Sequence, residues 1–73
     1  MLRVTGTPPA ALVTIDDVYV GKLERLGKNG VRVPVGERRV TIEATGYLPH
    51  DVLVHIEQGQ TSDLAVELVE EPE

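Results

Sequence analysis

Seventy-three residues with no cysteine make one small domain, with neither a disulfide framework nor a thiolate metal site. Phe and Trp are absent and Tyr19 and Tyr47 are the only aromatics, which leaves little surface for stacking sugars or bases. The net charge of -5 argues against nucleic acid, and no apolar run approaches the roughly 20 residues of a membrane-spanning helix, so no direct membrane insertion is expected.

In chain order, Leu2 to Thr5 reads as a short edge-type strand closed by Gly6 and the Pro8-Pro9 pair, since proline cannot donate to a ladder. Leu12 to Ile15 follows, with Val13 and Ile15 on one face and Leu12 and Thr14 on the other. Asp16-Asp17 stands where a two-residue hairpin turn belongs, and Val18-Tyr19-Val20 is the returning strand, ended by Gly21. Lys22 to Leu26 is ambiguous. Leu23 and Leu26 are three apart, but the segment is too short to sustain a helix alone. Gly27 to Gly30 has turn composition, with Asn29-Gly30 a strong hairpin dipeptide.

Val31, Val33 and Val35 then alternate with Arg32 and Pro34, and Gly36-Glu37 is read as a turn. In the next strand Val40, Ile42 and Ala44 face one way and Arg39, Thr41 and Glu43 the other. Beyond Gly46-Tyr47 and Pro49, Val52, Val54 and Ile56 define another inward face. Gln58-Gly59-Gln60 turns the chain into a last strand carrying Leu64, Val66 and Leu68, with Asp63 and Glu67 outward. This is an all-β pattern of about seven short, mostly antiparallel strands with no helix of consequence. One wet face per strand implies two sheets packed as a small sandwich.

Charge is unevenly placed. Residues 22–39 carry a local balance of +4 and the remainder -9, with Glu70, Glu71 and Glu73 at the acidic end. The expected division is therefore a β-sandwich over 1–69 and an acidic tail or linker over 70–73.

The ordered motifs resemble the PEGA domain family. Pro8-Pro9-Ala10-Ala11 occupies the namesake turn, Ile15-Asp16-Asp17 the first hairpin and Tyr19-Val20-Gly21 its return. Pro34-Val35-Gly36 with Val40-Thr41-Ile42 matches the central strand, Gly46-Tyr47 the characteristic dipeptide, and Gln58-Gly59-Gln60-Thr61 the closing turn. Ala10 and Asp17 stand where the family has glycines, and the Thr-Pro that usually follows the Gly21 position is missing. The resemblance spans about residues 4–68. It implies an immunoglobulin-like or transthyretin-like sandwich serving as a non-catalytic accessory module, often exported or on the outer side of a bacterial or archaeal membrane. A protein or envelope component is the implied partner.

The residues themselves offer few sites. No Ser or Cys nucleophile sits in a known signature and no glycine-rich phosphate loop is present, so no catalytic residue and no cofactor are assigned. His50 and His55, five apart on one strand, point to opposite faces and suit no shared metal ion. Asp16 and Asp17 are too few oxygens for calcium. Tyr47 reads as a structural corner, ring packed and hydroxyl bonded to nearby backbone, alongside Pro8, Gly21, Gly36 and Gly46 as structural positions. Tyr19 is exposed or in the other layer. The candidates for binding are Arg25, Lys28, Arg32, Arg38 and Arg39, with Tyr19. If clustered, they would form a basic face for an acidic partner or an anionic glycan. If not, they solubilise the sheets and protect their edges.

Overall fold

A computed structural model describes residues 1–72 of the chain. Six strands and one helix follow in the order β1 (Leu2–Thr7), β2 (Leu12–Ile15), β3 (Val18–Lys22), α1 (Leu23–Asn29), β4 (Gly36–Glu43), β5 (His50–Ile56) and β6 (Ser62–Glu67). They form a four-stranded antiparallel sheet in the order β3-β2-β4-β5 and a two-stranded sheet in which β1 and β6 run parallel. The architecture is the β-sandwich-like arrangement expected from the alternating strands, with six strands in place of seven.

Period-two alternation decides which side chains are buried. Val13 and Ile15 of β2, Val40 and Ile42 of β4 and Ile56 of β5 line the inner face of the larger sheet. Leu2 and Val4 of β1 with Val66 of β6 enter the same cluster from the smaller sheet, and Ala11, Leu23, Leu26 and Leu68 complete it. All of these are aliphatic or alanine. Full burial of each Val, Leu or Ile contributes roughly 1.5–3 kcal/mol, the dominant stabilising term in a chain without cross-links.

Three segments differ from the sequence expectation. Leu23 to Asn29 forms a helix, including the Gly27-Lys28-Asn29 stretch expected to turn. Seven residues cannot hold a helix by themselves, but tertiary contacts hold this one. Leu23 and Leu26 are buried, while Leu23 N–H donates to the Ala11 carbonyl at 2.8 Å and Glu24 N–H to the Pro9 carbonyl at 2.9 Å. These two amides of the first turn are thus satisfied by the Pro8–Ala11 turn. Gly27 sits where a Cβ would lie 3.3 Å from the Val4 carbonyl oxygen, so its small size lets the helix settle on β1. Asn29-Gly30 ends the helix, with Gly30 N–H bonded to the Leu26 carbonyl at 3.0 Å.

The alternating Val31–Val35 stretch is not a strand. Val31 makes one antiparallel bridge to Leu2, and residues 32–35 have no ladder partner. Alternation there reflects partial burial of Val31 and Val33 beside the core. Gly36-Glu37, read as a turn, opens β4 and pairs with Ile56 and His55.

The parallel β1–β6 pair also departs from the mostly antiparallel expectation. Period two reports which face is buried and is silent about which strand lies alongside. β1 runs through Gly6, which has φ of 144° and faces Val66 across the ladder. A Cβ on Gly6 would lie 1.5 Å from the Val66 carbonyl oxygen, so only glycine permits this pairing. Beyond β6, Leu48 N–H bonds the Val69 carbonyl at 2.8 Å and Glu71 N–H the Gly46 carbonyl at 2.9 Å. Backbone pairing therefore continues past residue 69, where a tail was expected to begin, although the Glu70 and Glu71 side chains are solvated. Glu73 lies outside the described residues.

Gly6→Ala is expected to leave the chain unfolded or to cost more than about 3 kcal/mol, whereas Gly59→Ala, at φ of 77° with open space around it, costs roughly 1–2 kcal/mol. Urea denaturation followed by circular dichroism separates the two, and equal losses would refute the close-approach argument.

Candidate functional site

The five cationic candidates fall on three separate parts of the chain. Arg25 and Lys28 belong to α1, Arg32 to the connector after it, and Arg38 and Arg39 to β4. Tyr19 and Arg25 line one shallow groove of about 350 Å³ where β3 meets α1. Arg32 lines another, of about 700 Å³, with Met1, Val33, Ile56 and the Gln58–Thr61 turn.

Arg38 and Arg39 are engaged within the protein. The β2–β3 turn places Asp16 and Asp17 at φ of 48° and 68°, two successive left-handed residues as a two-residue type I′ turn requires. The Ile15–Val40 register brings this turn against the start of β4. Asp16 Oδ1 accepts the Arg39 N–H at 3.1 Å and its Oδ2 accepts Arg38 Nη1 at 3.2 Å. Arg38 also donates from Nε to the Pro34 carbonyl at 3.1 Å and from Nη2 to the Val35 carbonyl at 2.7 Å. One guanidinium therefore ties the unpaired connector to the hairpin turn. Arg39 Nη2 lies 3.4 Å from Asp17 Oδ1 in a well-exposed pair. The backbone N–H of Arg39, and then the Arg38 side chain and the two cations' charges, hold the Asp16 carboxyl below its ordinary value, against an opposing effect of desolvation.

Of the positions expected to be structural, Pro8 lies partly buried at the mouth of a groove of about 650 Å³ that Leu12, Ala44 and Tyr47 also line. Gly21, Gly36 and Gly46 have positive φ values of 143°, 117° and 84°. The Tyr47 ring packs partly buried against the core, and its backbone bridges Glu70. Its hydroxyl makes no hydrogen bond among the described residues, so the ring rather than the hydroxyl holds it in place. His50 and His55 lie on opposite phases of β5, both exposed, with His55 Nε2 3.6 Å from Glu57 Oε1.

The outer face of the four-stranded sheet carries a feature that no motif in the sequence announces. Cross-strand register aligns Tyr19, Thr14, Thr41 and Asp51 in one row, with Thr41 and Asp51 hydrogen-bonded through their side chains. Leu12 lies in the neighbouring row on one side, opposite Lys22 and Glu43, and Leu53 on the other side, opposite Arg39. Leu12, Tyr19 and Leu53 are 45%, 58% and 64% exposed. The signal that could have found it is a leucine on the polar phase of β2 and another on the polar phase of β5.

Comparison with known proteins gives one result for this arrangement. The family model described as PEGA domain matches residues 1–72. No curated protein matches the chain.

Asp16→Asn keeps an acceptor for the Arg39 N–H and tolerates positive φ, but removes the charge facing Arg38. A carboxyl whose pKa is lowered by folding stabilises the native state above its unfolded value and loses that contribution as pH falls through the folded value. The variant is therefore expected to be less stable than the parent at neutral pH, with the gap closing as pH drops below 3.8. Thermal melts from pH 7 downward measure this, and a gap that ignores pH would exclude the charge as its source.

Proposed function

We propose that this chain, which belongs to the PEGA domain family, is a non-catalytic interaction module that presents the outer face of its four-stranded sheet to another protein. The single observation carrying this reading is the exposure of Leu12, Tyr19 and Leu53, in three successive cross-strand rows, on a sheet whose other face is core. Family membership supports a small non-catalytic module. Exposed leucines flanking a threonine row give a partner apolar contact and short hydroxyls within reach of a backbone. The family resemblance further supports work in the cell envelope, outside the cytoplasm, as an accessory or spacer element of a larger protein. Among the described residues no helix is long and apolar enough to cross a membrane.

A glycan-binding role draws on less. It needs Arg25, Lys28, Arg32, Arg38 and Arg39 as one face, yet Arg38 and Arg39 are held by Asp16, Asp17 and two backbone carbonyls. Of the other three, Arg25 lines the smallest of the grooves described above with Tyr19, while Arg32 lines a different one.

Photo-crosslinking side chains placed singly at Leu12, Tyr19 and Asp63 in the producing cell test the proposal. Adducts of defined mass are expected from Leu12 and Tyr19, and their yield should fall severalfold when Leu53→Ser is added. Asp63, on β6 of the other sheet, should give none. Equal labelling from all three positions, or none from the first two, would sink the interaction reading.

A further inference from the structure

The two edges of the four-stranded sheet are unlike. At one edge, β3 is five residues long, carries a bulge at Val20, ends in Gly21-Lys22 and passes directly into α1. Bulges, short length and lysine are the devices by which natural sheets discourage edge pairing. At the other edge, β5 runs seven residues from His50 to Ile56 in unbroken register with β4, with no proline, glycine or lysine. Among the described residues no strand lies on its outer side. This edge is open to another strand.

The phase of the ladder shows what it offers. Arg39 directs its carbonyl to Asp16 N–H at 2.9 Å and its N–H to Asp16 Oδ1, so both groups point toward β2. In an antiparallel sheet the next residue, Val40, then points both groups the other way, toward its partner Val52. Val52 and Val54 are thus spent on β4. Asp51, Leu53 and His55 direct their N–H and C=O groups to the free edge.

These residues complement themselves. In Asp51-Val52-Leu53-Val54-His55, antiparallel pairing about a two-fold axis at Leu53 sets Asp51 against His55, Val52 against Val54, and Leu53 against its own equivalent. The three residues with free backbone groups on each strand face the three on the other, so every exposed donor meets an acceptor. Side chains agree with the backbone. Leu53, 64% exposed, packs on its equivalent, and each Asp51 carboxylate meets a His55 imidazole that donates an N–H. From β4, Thr41 lies beside Asp51, Arg39 beside Leu53 and Glu37 beside His55, with Glu57 also near His55. Neighbouring registers are worse. An axis at Val52 sets His55 opposite Pro49, which has no N–H, and an axis at Val54 sets Asp51 opposite Glu57.

From this we infer that β5 is a homodimerisation edge: a second copy of the chain adds its own β5 antiparallel about Leu53, joining two four-stranded sheets into one of eight. The inference goes beyond the outer-face reading, since pairing along β5 brings Leu53 against the second copy and leaves Leu12 and Tyr19, on β2 and β3, uncovered.

Sedimentation equilibrium of the full chain up to about 1 mM, the range of weak edge contacts, tests it. A monomer–dimer equilibrium is expected, and Leu53→Lys should weaken it about tenfold or more. Asp51→Lys sets an ammonium against each imidazole and His55→Glu sets two carboxylates against each other, so each should also weaken it about tenfold. An equimolar mixture of these two variants should dimerise again. The lysine introduced in one chain then meets the glutamate introduced in the other, while a native Asp51–His55 pair is kept on the opposite side of the axis. Circular dichroism confirms that each variant is folded, and Leu53→Lys alone suffices if a charge variant is not. A wild-type chain that stays monomeric at 1 mM, a dimer indifferent to Leu53→Lys, or a mixture of folded variants that does not recover overturns the inference. Persistence of the Leu12 and Tyr19 crosslinks in a strictly monomeric chain would overturn self-pairing alone and leave the interaction reading standing.

Discussion

β1 can lie against β6 only because position 6 carries no side chain, and most of the molecule is organised around that contact. One edge of β1 is taken by β6, while its other edge holds Val31 through paired hydrogen bonds of 2.8 Å between Leu2 and Val31. The helix rests on it where Gly27 meets the Val4 carbonyl. Leu2 and Val4, both fully buried, project from it into the cluster shared with the larger sheet. The terminal strands thereby close the fold. The backbone nitrogen of Met1 bonds the Gln60 carbonyl at 3.1 Å, and Leu68 N–H bonds the Thr7 carbonyl at 3.0 Å. Contacts of such long sequence separation are entropically costly to form, so the domain folds as one cooperative unit or not at all.

A chain this short, with no disulfide, has little margin, and it satisfies its backbone through neighbours that do two jobs. The turn at Pro8–Ala11 links β1 to β2 and also caps the helix that follows β3. Arg38 serves β4 and also fastens the unpaired Pro34-Val35 carbonyls to the hairpin turn. Exposed ion pairs alone contribute little. The worth of Arg38 lies in the carbonyls it covers, which would otherwise have water as their only partner.

The faces of the strands were legible from period-two alternation. Val13 with Ile15, Val40 with Ile42, and Val52, Val54 and Ile56 all point inward as their spacing implies. What sequence reasoning missed depends on partners far along the chain. Nothing local to Leu23–Asn29 reveals that Pro9 and Ala11 carbonyls await its amides, and Asn29-Gly30 carries a turn signal that a helix end uses equally well. Val31, Val33 and Val35 alternate as a strand does, but alternation records burial and not pairing. The basic segment looked like a single feature along the sequence. Arg38 and Arg39 meet Asp16 and Asp17 because the antiparallel register folds residues 22 positions apart onto each other.

The unequal edges of the larger sheet bear on function through the same logic. A free strand edge with hydrophobic flanks is a hazard that selection removes readily, since one lysine or proline is enough. β3 shows such measures, whereas β5 has no lysine, proline or bulge along its seven residues. Retaining a smooth seven-residue edge whose exposed backbone groups fall on Asp51, Leu53 and His55 is a liability unless that edge has a partner. Its outer-face side chains belong to the same sheet face as Leu12 and Tyr19, with Thr14 and Thr41 between them. In the proposed pairing, backbone bonds along the edge set register and orientation, and Leu53 contributes apolar burial. A module proposed to work by contact needs little more to build an assembly, because its sheet is both the scaffold and the contact surface.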